Sequence, residues 1–135
     1  MFQAQVNGTT IAYDLYGQGE PLLLIHGAVV SHEEWRPQLE PLGACYRLIL
    51  PDVRGHGASA QTASPYTIRQ FSDDLIGLLD ALKIERCVAL GHSMGGTIAL
   101  EMAACYPTRV RGLILAEAIY GAGDSLSLRL RLALG

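Results

Sequence analysis

Ser93 stands in the run Gly91-His92-Ser93-Met94-Gly95-Gly96, with glycines two residues before and two residues after it. A short apolar segment, Cys87–Leu90, precedes the run, and a helical pattern follows it. A tight strand–turn–helix connection lifts its central residue above the sheet and leaves no room for side chains two positions away on either side. A serine hydroxyl placed there can attack a carbonyl carbon once an adjacent base takes its proton. The plainer alternative is a glycine-rich turn that only closes a strand–helix unit.

The base is the missing piece. The histidines are His26, His32, His56 and His92, and none follows Ser93, although Glu101, Glu117 and Asp124 do. On turns of this kind the partners normally come later in the chain, acid first and histidine last. The sequence therefore offers a nucleophile and several acids without the usual base.

Other chemistries find little support. At 135 residues the chain suits one domain, 1–135, with enough length to bury a substantial core. Half of the residues are hydrophobic and 17% are charged, which excludes a disordered tail. The net charge of −3 leaves no basic footprint for nucleic acid. Cys45, Cys87 and Cys105 show no disulfide or metal spacing, and Cys87 and Cys105, in apolar stretches, are expected to be buried thiols. No cofactor or metal site is implied. No basic start followed by an apolar run opens the chain, and no apolar stretch reaches the roughly 20 residues that span a bilayer. No membrane partner and a reducing, cytoplasmic compartment are the resulting expectations.

Several elements must position Ser93. Phe2–Val6 and Thr10–Tyr16 alternate loosely around Asn7-Gly8, a strong hairpin signal. Leu22–Ile25 and Arg47–Leu50 are apolar strands, the first ending at His26-Gly27 and the second at Pro51-Asp52. Between them, residues 31–42 suit a short helix capped by Ser31, with Glu33 and Glu34 in its first turn and Pro37 and Pro41 limiting its length. Residues 67–83 give the clearest helix, with Ile68, Phe71, Leu75, Leu78, Leu79 and Leu82 at three- and four-residue steps. Thr97–Tyr106 is helical and Gly112–Ala116 is the last strand. The alternation predicts an α/β fold: a mostly parallel sheet of about six strands, opening with a β-hairpin, with helices on both faces. In residues 126–134 leucine alternates with other residues, a strand period in a composition that favours helix, and both conformations stay open.

Taken together, these motifs resemble the α/β-hydrolase family over roughly residues 6–120. His26-Gly27-Ala28 looks like the turn after the family's third strand. Asp52-Val53-Arg54-Gly55-His56-Gly57-Ala58-Ser59 looks like the loop after the fourth, and the Ser93 run like the nucleophile elbow after the fifth. The resemblance implies that Ser93 is the nucleophile and that the backbone N–H groups of Met94 and Ala28 form an oxyanion hole. It implies a small-molecule substrate with a carbonyl group, such as an ester or lactone. Serine at the elbow argues against the dehalogenase and epoxide hydrolase branches, which use aspartate.

The resemblance also assigns supporting residues. His26 would brace the oxyanion turn, His56 would be a loop residue and His32 a surface helix residue, while His92 would point away from its neighbour Ser93. Glu117 is a candidate acid, and Asp52 and Arg54 would hold loops. Residues 121–135 look like the start of a lid segment, and the family's last strands and catalytic histidine would lie beyond Gly135. Two readings remain: a truncated serine hydrolase, inactive alone, or a non-catalytic binding module or remnant. Leu113–Ala116 would form an exposed apolar edge prone to self-association.

Overall fold

The computed structural model describes residues 1–63 and 66–118; the expectations for 121–135, lid segment and leucine alternation included, lie outside the described residues. Six strands form one sheet: β1 (Phe2–Val6), β2 (Thr9–Tyr16), β3 (Glu20–Ile25), β4 (Tyr46–Pro51), β5 (Cys87–His92) and β6 (Val110–Ala116). Their spatial order is β1-β2-β4-β3-β5-β6, antiparallel from β1 through β2 to β4 and parallel from β4 onward. The hairpin turns at Asn7 and Gly8, whose φ angles of 48° and 73° match the turn that suits the twist of paired strands.

The period-two alternation of β3 separates the two layers. Leu23 and Ile25 face a cluster with Ile49, Leu75, Leu78, Leu79, Ile98 and Met102, which buries helices α2 (Ile68–Ala81) and α3 (Met94–Cys105) against one face. Leu22 and Leu24 face the opposite cluster with Trp35, Leu48 and Leu50. That side is covered by a 3-10 turn, His32–Gln38, running into the short helix α1 (Leu39–Gly43). Pro37 lies inside the 3-10 turn, which accounts for the broken geometry. Helices thus lie on both faces, as the alternation of elements predicts.

Helix α2 begins where Thr67 Oγ1 accepts the Gln70 N–H at 3.0 Å. Helix α3 begins directly after Ser93 rather than at Thr97, so Gly95 and Gly96 are helical. Glycine disfavours a helix interior, but here close packing on the sheet decides the start. Strands β3 and β5 are neighbours although β4 intervenes in sequence, and their connections leave toward opposite faces. The carboxyl ends of β3 and β5 therefore flank the crevice where open α/β sheets place their sites.

Candidate active site

Ser93 sits at φ 52° and ψ −116°, a region that side-chain-bearing residues rarely adopt. Such backbone strain costs about 1–3 kcal/mol and persists only where the surroundings impose it. The glycine spacing is steric: a Cβ on Gly91 would lie 2.2 Å from the Gly95 carbonyl oxygen, and one on Gly95 would lie 2.0 Å from that of Ile25. The Ser93 N–H donates to Ala116 O at 2.9 Å, so the end of β6 also holds the elbow. Gly96 N–H and Thr97 N–H donate back to Ser93 O at 2.9 and 3.3 Å, closing the first turn of α3. As the first residue of that helix, Met94 has no carbonyl within it to receive its N–H. Among the described residues Ser93 Oγ makes no hydrogen bond.

The loop after β3 lies against this elbow. A Cβ on Gly27 would stand 3.3 Å from His92 Nδ1 and 3.6 Å from Ser93 Cβ. Ala28 follows on the exposed surface, and Val29 is 94% exposed at φ 57°, a strained conformation for a β-branched residue. A shallow depression lined by Val29, Val30, Ser31, Glu33, Glu34 and Gly57 opens beside the loop.

Each histidine has other work. His26 is fully buried; its Nε2 accepts the Val53 N–H at 3.0 Å, so Nδ1 carries the proton and donates to Gly27 O at 2.7 Å. Burial pushes its pKa below the ordinary value of 6.5, against the pull of the Gly27 carbonyl. The neutral ring thereby stitches the β3 loop to the β4 loop. His92 turns its Nδ1 to Glu34 Oε1 at 2.8 Å, while its Nε2 lies 3.8 Å from Glu117 Oε2. His56 Nδ1 donates to Arg54 O at 3.1 Å, and its ring packs on those of His26 and Phe71.

His32 departs from expectation. Far from being a surface helix residue, it is buried, and both its backbone N–H and its ring Nδ1 donate to Asp52 Oδ1, at 2.8 and 2.7 Å. Asp52 Oδ2 accepts the Ala58 N–H at 2.8 Å. Burial alone would raise the Asp52 pKa; the hydrogen bonds from His32 and Ala58 outweigh it and hold the carboxyl below the usual range. Arg54 makes a two-pronged ion pair with Asp74 on α2, both bonds at 2.8 Å, and also donates to Asn7 O at 3.2 Å. Asp52 and Arg54 therefore tie loops together rather than face Ser93.

Glu117 is 89% exposed at the rim, beyond the end of β6, with its φ at 52°. The structure brings it to His92 and not to Ser93. The residues the sequence reading missed are Glu34, which bridges Gly27 and His92, and Asp74, which is buried beneath Arg54. Cys87 is buried, with its thiol pushed up to about 11 by burial, whereas Cys105 is only half-buried at the end of α3 beside Arg69. Among the described residues, no cluster of His, Cys, Asp or Glu is arranged to hold a metal ion, and no helix is long and apolar enough to cross a membrane.

A strained serine between a parallel strand and a helix, beside a loop that follows the neighbouring strand, has the strand–turn–helix geometry of the α/β-hydrolase class. The family model of the alpha/beta hydrolase fold matches residues 20–130, and the chain belongs to that family. It is 41% identical over 103 residues to the 2-hydroxymuconate semialdehyde hydrolase of Pseudomonas sp. strain CF600, covering 73% of this chain and 36% of that protein. It is 37% identical over 115 residues to an epoxide hydrolase of Caballeronia sordidicola, covering 83% of this chain and 35% of that protein. The solved enol-lactonase of Burkholderia xenovorans LB400 superposes with a TM-score of 0.80 at 35% identity, covering 82% of this chain and 44% of that one. The chain thus spans less than half the length of these relatives.

Proposed function

We propose that this chain carries the nucleophile half of a serine hydrolase, which acts on an ester, lactone or similar small carbonyl substrate by acyl transfer through Ser93. The observation that carries the reading is the strained Ser93, with its hydroxyl unengaged among the described residues and the Met94 N–H at the start of α3. In this scheme Ser93 Oγ attacks the carbonyl carbon, and the N–H groups of Met94 and Ala28 receive the charge that develops on oxygen. The Ser93 proton passes to the base, the C–O bond to the alcohol oxygen breaks and that oxygen takes the proton, leaving an acyl-serine; water then attacks the acyl carbon, releasing the acid and returning the proton to Ser93. Relatives include both a lactonase and an epoxide hydrolase. Serine at position 93 favours carbonyl chemistry over opening of an epoxide.

The base is supplied from outside residues 1–118. His26 has both ring nitrogens engaged and His92 is committed to Glu34, so neither serves Ser93. Glu117 is the candidate acid within the described residues, and it would need a histidine between itself and Ser93. Residues 1–135 alone therefore show no Ser93-dependent turnover beyond what positioning provides. No disulfide joins Cys45, Cys87 or Cys105 among the described residues, which fits a reducing, cytoplasmic setting.

A second reading, a non-catalytic module of the same fold, draws on the His92–Glu34 pairing, which leaves Ser93 without a base. Hydrolysis of an activated short ester separates the two. The chain is assayed alone and co-expressed with the carboxy-terminal half of a related hydrolase. Turnover that appears only with the added half and vanishes in Ser93→Ala supports the serine hydrolase. A folded complex without turnover supports the module.

A further inference from the structure

We propose that Glu34 is a positioning residue that fixes the oxyanion loop against the nucleophile elbow, an inference that rests on Ser93 and its two backbone donors being the site. One carboxylate oxygen, Oε2, accepts the Gly27 N–H at 3.1 Å, and the other, Oε1, lies 2.8 Å from His92 Nδ1. A carboxylate only accepts, so His92 donates from Nδ1. The two bonds use opposite ends of one rigid planar group. Their partners lie next to the two donors: Gly27 immediately precedes Ala28, and His92 stands two residues before Met94. The clasp therefore sets the separation of the two oxyanion donors, one in the loop after β3 and the other at the start of α3 after β5.

Two further observations support a clasp over an incidental contact. Ser31 caps the 3-10 turn, its hydroxyl accepting the Glu33 N–H at 3.3 Å and its carbonyl the Glu34 N–H at 3.1 Å, so the Glu34 backbone is fixed before its side chain reaches across. Val29, two residues past Gly27, is strained at φ 57° and almost wholly exposed, so its own side chain packs on little that could hold the loop. A strained segment persists only where neighbours impose it. Among the described residues, Glu34 and His26 are the two side chains that bond the Gly27 backbone, one at its N–H and the other at its carbonyl.

The test is nuclear magnetic resonance on the intact chain, reading the His92 ring nitrogens and the hydrogen exchange of backbone amides. In wild type His92 carries its proton on Nδ1 and the Gly27 amide is protected. Glu34→Ala should speed Gly27 exchange by about tenfold to a hundredfold while the β3 and β5 core amides keep their rates. Glu34→Gln keeps the size and is the safer fold, yet an amide accepts at only one end. It must therefore either expose Gly27 or move the His92 proton to Nε2. A wild-type His92 protonated on Nε2 would overturn the proposal, as would Gly27 exchange unchanged in both variants with an unaltered His92 tautomer. Neither readout uses turnover, so an inactive Ser93 leaves this result standing, and the reverse holds too.

Discussion

The loop after β4 and the segments after β3, β5 and β6 leave the same edge of the sheet, and they treat their polar groups in opposite ways. After β4, the Asp52 carboxylate accepts from His32 and Ala58, while Ser59 Oγ donates to Asp52 O at 2.5 Å and accepts the Ala12 N–H at 2.8 Å. Arg54 is locked on Asp74. The left-handed positions of that loop, Gly55 and Gly57, are glycines, and a Cβ on Gly57 would strike the Asp52 carboxylate at 2.2 Å. After β3, β5 and β6 the left-handed residues are Val29, Ser93 and Glu117, all bearing side chains. There the strain is kept, and the Ser93 hydroxyl is unengaged among the described residues. The β4 loop spends the Asp52, Arg54 and Ser59 side chains on holding structure, whereas the strained Ser93 keeps its hydroxyl unengaged among the described residues.

The largest effect should come from the scaffold loop. Asp74→Ala strands the Arg54 guanidinium in a buried setting and should cost about 3–5 kcal/mol in urea-induced unfolding. A loss under about 1 kcal/mol would mean that water solvates Arg54 far better than the ion pair implies. Gly95→Ala follows, since its methyl meets the Ile25 carbonyl at 2.0 Å; overpacking of this kind should cost about 1–3 kcal/mol or more.

Acid should loosen the scaffold in two stages. His26 is held neutral with its pKa lowered from 6.5, so its contribution is complete above 6.5 and is lost as pH falls through the lower folded value. Asp52, lowered from 3.8, contributes fully above 3.8 and loses its contribution as pH falls through its own folded value. Urea midpoints measured across acidic pH should decline in both ranges, and Asp52→Asn should flatten the lower one. A midpoint that stays level as pH falls well below 6.5 would contradict the assignment of His26, and a decline below 3.8 that persists unchanged in Asp52→Asn would contradict that of Asp52.

Smaller changes address the strained side. Ser93→Gly removes the cost of a side chain at positive φ and should stabilise by about 1 kcal/mol while removing the proposed nucleophile. At the outer strand, β6 pairs only with β5 among the described residues, with Ile114 50% and Leu115 38% exposed. Light scattering should show concentration-dependent association that Ile114→Lys weakens. A monomer at all concentrations would mean that this edge is covered.

Much of this contrast was written in local sequence. The elbow, the Asn7-Gly8 hairpin and the alternating apolar strands depend on residues within a few positions of each other, and the sheet follows from their order. The Glu34 clasp was not legible, because His92 is 58 residues away and nothing in the helical pattern marks Glu34 except its place in a first turn. His32 was misplaced for a similar reason: its partner Asp52 lies 20 residues on, across the 3-10 turn. Asp74 was not legible either, because its partner Arg54 also lies 20 residues away.

Covalent labelling by a fluorophosphonate reads directly whether Ser93 is a nucleophile. If it is, then with the carboxy-terminal half of a related hydrolase bound, wild type should be labelled, Ser93→Ala should not, and the chain alone should take up little or none. A well-folded complex in which Ser93 stays unlabelled would contradict that role, and so would strong labelling that persists in Ser93→Ala.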